Sequence, residues 1–164
     1  MQLDVKSFQE TLHADMCGPA SLKIVLDYYG INKTEEELAK LTEKDDIGID
    51  DKKLSKAAKS FGFSVVVKEE SDFSDVDNWL KKGVPIIVNW FTCGRSDYSS
   101  SEVADGHYSV VIGLDDEYIY LQDPEIGKIR KIRREDFLKV WFDFKGDFPK
   151  PEELIVCQLI AIYK

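Results

Sequence analysis

Cysteine, histidine and positive charge are all scarce in this chain. Cys17, Cys93 and Cys157 are its three cysteines in 164 residues. An odd number with no CxxC pair argues against a disulfide framework and for a reducing compartment. Two histidines, His13 and His107, give no zinc-ligand spacing, so neither a metal nor a cofactor is expected. The 22 Lys and Arg face 31 Asp and Glu, for a net charge of -9. That excludes the basic footprint of a general nucleic-acid binder and disfavours docking on anionic membranes. No apolar run approaches the roughly 20 residues that a membrane-spanning helix needs. Met1-Gln2-Leu3-Asp4-Val5-Lys6 lacks the charged and apolar regions of a secretory signal. The expectation is therefore no transmembrane segment and a cytoplasmic location. With no repeat and no linker rich in Pro, Gly or Ser, residues 1–164 are expected to form a single domain.

What is present divides into a helical first half and a strand-rich second half. Pro19 suits a first helical turn, Leu22, Ile24, Val25 and Leu26 supply a broad apolar stripe, and Gly30 stops the helix. Thr34-Glu35-Glu36-Glu37 is a capping box for a second helix. Asp50 or Asp51 caps a third, with Leu54, Ala57, Ala58 and Phe61 inward and Gly62 as its stop. Phe63 to Val67 reads as a strand and Asp75 to Lys82 as a short helix. Val84 to Phe91 is apolar except at Asn89 and predicts a strand buried on both faces. Thr92 to Ala104 reads as a mobile polar loop. His107 to Leu114 and Tyr118 to Gln122 form a hairpin, Lys128 to Arg133 a further strand, Glu135 to Trp141 a helix, and Leu154 to Tyr163 a closing strand. Helices followed by an antiparallel sheet make an α+β domain. The basic run Lys128-Ile129-Arg130-Lys131-Ile132-Arg133-Arg134 partly alternates with apolar residues and reads as a solvated strand face. Trp79, Trp90, Phe91 and Trp141 could wall a cleft, but core packing is the better reading.

Chemistry concentrates around Cys17. It opens a helix, whose N-terminus supplies positive potential and unpaired N–H groups. Gly18 beside it would let a substrate backbone approach closely. A thiol nucleophile also needs a base, and His107 sits at the start of a rigid strand. His13 is the alternative base, on an irregular segment close to Cys17. A three-residue connection, Leu114-Asp115-Asp116, would pair Ile112 with Tyr118 and Val110 with Tyr120, and would place His107 opposite Asp123. Asp123 would then orient the imidazole, the third part of a nucleophile–base–acid arrangement. Cys93 and Cys157 read as small hydrophobes.

These residues, taken together, carry a family likeness. Gln9, then Cys17-Gly18-Pro19-Ala20-Ser21-Leu22, Leu26-Asp27-Tyr28-Tyr29-Gly30, Gly106-His107-Tyr108-Ser109-Val110-Val111-Ile112-Gly113 and Leu121-Gln122-Asp123-Pro124 follow in order. In this the chain resembles the bacteriocin-processing, double-glycine-leader cysteine peptidases and their stand-alone relatives, a branch of the papain-like fold. The resemblance runs from about Gln9 to about Phe137. It implies a peptide or protein substrate, Cys17 as nucleophile, His107 as general base and acid, Asp123 as orienting residue, and Gln9 with the Cys17 N–H as oxyanion donors. The loop from Thr92 to Asp105 stands as an insertion beside the cleft. Leader peptides follow as substrates only by analogy. The alternatives are a silent peptide-binding relative, an acyltransferase of the same fold, and a purely structural protein with Cys17 buried far from His107.

Overall fold

A computed structural model of the chain describes residues 1–11, 16–42, 49–92, 106–145 and 150–164. The expected loop from 93 to 105, His13 and Cys93 lie outside the described residues. The helices begin where the sequence supplies caps. α1 spans Cys17–Tyr28, α2 Glu35–Leu41 behind the Thr34 capping box, and α3 Asp51–Ser60 behind Asp50. α4 spans Phe73–Lys81, starting two residues earlier than expected because Asp72 and Asp75 form a second capping box. α5 spans Arg134–Val140.

Six strands form one antiparallel sheet. They are β1 (Ser64–Lys68), β2 (Ile86–Phe91), β3 (Gly106–Leu114), β4 (Tyr118–Asp123), β5 (Lys128–Arg133) and β8 (Leu159–Tyr163), in the order β1-β8-β2-β3-β4-β5. A two-stranded sheet pairs β6 (Phe142–Phe144) with β7 (Leu154–Val156). The large sheet has a core on each face. Ile87, Val110, Ile112, Ile160 and Ile162 pack with Leu22, Val25 and Leu26 of α1, Leu38 of α2 and Leu54 of α3. Ile86, Val88, Val111, Leu121, Leu159 and Ala161 pack on the other face with Val76 and Leu80 of α4 and Phe137 and Val140 of α5. Successive strand residues thus serve opposite cores, as a strand buried on both faces requires. Leu22 is fully buried, so Leu22→Ala would cost about 3 kcal/mol.

Three expectations change. The closing strand is two strands, because Cys157 turns the chain through a left-handed corner (φ +47°) between β7 and β8. The β6 strand was not anticipated. The β3–β4 register is also different: Val110 faces Gln122 and Leu114 faces Ile119, with a bulge between Val111 and Gly113. The shift near Val110 is two residues, which preserves the face each side chain points to. Trp90 and Trp141 are fully buried core residues, whereas Trp79 and Phe91 are half-buried. Among the described residues no helix is long and apolar enough to cross a membrane.

Candidate active site

The extended N-terminal segment threads along the sheet toward one end of it. Leu3 N–H donates to Ile112 O (2.7 Å), Gln122 Nε2 donates to Val5 O (2.6 Å), and Glu10 N–H donates to Pro124 O (2.9 Å). Gln9 and Glu10 are thereby laid against the tight turn that joins β4 to β5. That turn carries Asp123 at its start and Gly127 near its end.

Cys17 is the first residue of α1, a half-buried free thiol. Met16 precedes it without a side-chain cap. A Cβ on Gly18 would collide with Ile49, so the space this glycine opens is taken by the Ile49 side chain rather than left for a ligand. His107 pairs across β2–β3 with Trp90, whose ring meets the imidazole edge-on at 5.6 Å. Trp90 Nε1 donates to Ser109 Oγ (3.1 Å), which fixes the indole under the imidazole.

His107 Nε2 lies 2.7 Å from Asp123 Oδ1. Continuing the observed register sets Asp123 across from Ser109, so the contact is diagonal rather than directly opposed, and it survives because the shift is even. The Cys17 side chain lies close enough to the imidazole to help hold its charge. With Nε2 on Asp123, Nδ1 is the ring nitrogen left for the sulfur. Burial opposes a charge on His107. The hydrogen bond to Asp123 and the interaction with Cys17, with their charges, outweigh it and push its pKa up to about 10. An imidazolium therefore faces the sulfur at neutral pH. Burial would likewise raise Asp123, but the hydrogen bond and charge of His107, followed by Arg130, hold it at about 2.

Gln9 lies against the turn after β4. Its Nε2 donates to Glu125 O (3.2 Å), which uses one of the two amide hydrogens. Its Cβ stands 2.6 Å from where a side chain on residue 127 would begin, and Gly127 has φ +63°, so glycine is required there twice over. Cys157, the remaining described cysteine, sits at the β7–β8 corner with its thiol pushed up by burial.

A family model described as Peptidase_C39 like family matches residues 2–147. The chain belongs to this family. An uncharacterized protein of Methanothermobacter marburgensis is 34% identical over 126 residues, 76% of this chain and 75% of that one. The lactococcin-G-processing and transport ATP-binding protein LagD of Lactococcus lactis subsp. lactis is 29% identical over 136 residues, 83% of this chain and 18% of LagD. The solved structure of a double glycine motif protease from an AMS/PCAT transporter, in complex with the leader peptide, superimposes with a TM-score of 0.70 at 21% identity. It covers 98% of this chain and 92% of that one. The fold is thus that of the C39 branch of papain-like peptidases, and the likeness to bacteriocin-processing peptidases stands.

Two groups beside this cluster escaped sequence reasoning. Arg130 Nε donates to Asp123 Oδ2 (2.6 Å) from β5, with its side chain only 11% exposed. It belongs to the run that reads as solvated, and its neighbours Lys128 and Lys131 are indeed exposed. Glu10 is half-buried, with Oε2 enclosed and without a hydrogen-bond partner among the described residues. Burial pushes its carboxyl up to about 7, against the lowering charge of His107. Nothing in a single irregular segment flags it.

Proposed function

We propose that this C39-like protein is a cysteine peptidase that hydrolyses peptide or amide bonds through Cys17, His107 and Asp123. The observation that carries the reading is the His107 imidazole, hydrogen-bonded through Nε2 to Asp123 and raised in pKa by its interaction with the Cys17 side chain. The Cys17 thiolate attacks the scissile carbonyl carbon, and the oxyanion forms beside the Cys17 N–H at the start of α1. The C–N bond breaks as the His107 imidazolium gives its proton to the leaving amine. Neutral His107 then takes a proton from water, the resulting hydroxide attacks the thioester, and the C–S bond breaks to regenerate thiolate and imidazolium. Gln9 serves as a second oxyanion donor through the amide hydrogen not spent on Glu125. Leader peptides with a double-glycine end are the substrates proposed, by likeness to the relative solved with one. The free Cys17 and Cys157 thiols fit a reducing, cytoplasmic setting.

The test compares iodoacetamide labelling at pH 6 to 7 with cleavage of peptides carrying a double-glycine segment. Cys17 should label much faster than Cys157 and Cys93, and Cys17→Ala should abolish cleavage. Equal labelling of all three cysteines would sink the reading. A second reading, a peptide binder without turnover, draws on the Gln9 amide being engaged by Glu125 O. Fast Cys17 labelling together with peptide binding and no cleavage would favour it.

A further inference from the structure

A carboxylate, rather than a neutral amide, behind the imidazole creates a charge problem. Asp123 has a side chain with 0% exposure. While His107 is an imidazolium, the pair is internally neutral. During thioester hydrolysis His107 must be neutral, and a buried carboxylate would then face it uncompensated. Such a charge is costly, and the usual escape is to bind a proton.

The structure holds a second cation on the other oxygen of the same carboxylate. Asp123 Oδ1 accepts from His107 Nε2 (2.7 Å) and from the Glu125 N–H (3.0 Å). Oδ2 accepts from Arg130 Nε (2.6 Å). The guanidinium extends on to Glu125 Oε2, 3.5 Å from its Nη2. Its position follows from strand pairing: Lys128 is opposite Asp123 and Arg130 opposite Leu121, so Arg130 lies diagonally across on the same face. Among the described residues, the further titratable groups that act on the pair are the Cys17 thiol of α1 and the carboxyl of Glu10 in the N-terminal segment, with Glu125 of the turn beside Glu10. Arg130 keeps its charge at every working pH, whereas His107 does not.

We propose that Arg130 is a positioning residue that acts as the standing countercharge of Asp123. It keeps the carboxylate ionised, and its Oδ1 aimed at the ring, through the half of the cycle in which His107 has given up its proton. The inference deepens the peptidase reading and rests on it for its place in the cycle. Its electrostatic content can be measured without turnover.

The experiment titrates the His107 ring by NMR in a Cys17→Ala background, where no thiolate contributes. The chain has two histidines, so His13→Gln assigns the signals. Adding Arg130→Met should raise the apparent pKa of the His107–Asp123 pair by about one unit or more. The rise is expected because the form with neutral imidazole and ionised carboxylate has lost its cation. Arg130→Lys, which keeps the charge, should recover most of the shift. A pKa that stays put or falls in Arg130→Met overturns the proposal. If that variant does not fold, Arg130→Gln carries the same test. With Cys17 restored, the acid limb of thioester hydrolysis should move to higher pH while KM changes little. A parent enzyme with no turnover would count against the peptidase reading and leave the titration result standing.

Discussion

The start of α1 and the starts of α2 and α4 are built on opposite rules. At α2, Thr34 Oγ1 accepts from the Glu37 N–H (3.1 Å) and Glu37 Oε2 accepts from the Thr34 N–H (2.9 Å). At α4, Asp72 and Asp75 make the same exchange, at 2.9 and 3.1 Å. Their side chains consume the orphan donors of the first turn. α1, with 12 residues, has Met16 as its N-cap, no capping side chain and no acid in its first turn. Pro19 has no N–H, and Ala20 N–H already donates to Met16 O, so the Cys17 and Gly18 N–H groups are what this end offers. The capped helices satisfy themselves locally. α1 leaves its positive end open beside a sulfur, and its stability comes from the buried Leu22, Ile24, Val25 and Leu26 instead. α5 also lacks a side-chain cap but carries Glu135 and Asp136 in its first turn, whereas α1 has neither cap nor acid, a local rule suspended as is expected at a functional site.

The contrast predicts that damage at α1 appears in chemistry and damage at the other helices in stability. Cys17→Ala should lower peptidase activity by roughly 10⁴-fold or more. It should barely move the thermal midpoint, because no cap or large side chain is lost. Parallel rate assays and melting curves check this, and a large loss of stability would break the contrast. Asp123→Asn should strike both. Activity should fall by about 10²- to 10⁴-fold through loss of the oriented imidazole. Stability should fall by roughly 3 kcal/mol, because Arg130 loses a buried partner.

The stability cost of Asp123→Asn should depend on pH in a defined window. His107, raised from 6.5 to about 10, stabilises the fold fully below 6.5 and loses that contribution as pH climbs through 10. Asp123, lowered from 3.8 to about 2, stabilises it above 3.8 and loses that as pH falls through 2. The difference between parent and variant in urea should therefore be widest between pH 4 and 6.5. A gap that widens toward pH 9 would contradict the His107–Asp123 coupling.

Much of this contrast can be read in the sequence, and the reasons for the rest are physical. Pro19, Gly30 and the Thr34 box mark helix ends because caps and stops are local. The run of β2, apolar except at Asn89, shows double-sided burial for the same reason. The β3–β4 register was missed because pairing at the turn, where Leu114 faces Ile119, runs three residues past the expected one; the bulge between Val111 and Gly113 takes one back, which keeps parity and lets His107 and Asp123 meet. β6 is three residues long, too short for any period to show. Cys157 lies within an apolar run that hides its left-handed corner. Arg130 is hidden in a basic run, since what singles it out is a strand partner seven residues away. Glu10 owes its burial to distant chain, including the turn after β4.

Removing a cap from α2 gives the third test. Thr34→Ala should cost about 1 kcal/mol and leave Cys17 alkylation unchanged. Any slowing of alkylation would mean the two helix starts are coupled, against the separation argued above.

Glu10 draws the finest line between the two regions. The third-position acid of each capping box is held low: the Thr34 backbone hydrogen bond lowers Glu37, and the Lys68 hydrogen bond, followed by that of the Asp72 backbone, lowers Asp75. Glu10, beside the His107 end of the open site, is driven the other way by burial, from 4.5 to about 7. Folding therefore takes up a proton at Glu10 between pH 4.5 and 7, so stability declines as pH rises through that window and levels off above it. Glu10→Gln removes that decline. Urea midpoints at pH 4, 6 and 8 should fall less steeply in the variant than in the parent, with the variant relatively more stable at pH 8. Activity should change by less than about threefold, because Glu10 touches neither sulfur nor imidazole through a hydrogen bond. If the two proteins lose stability in parallel from pH 4 to 8, burial does not hold a proton on Glu10, and the electrostatic difference between the two regions shrinks to His107 and Asp123.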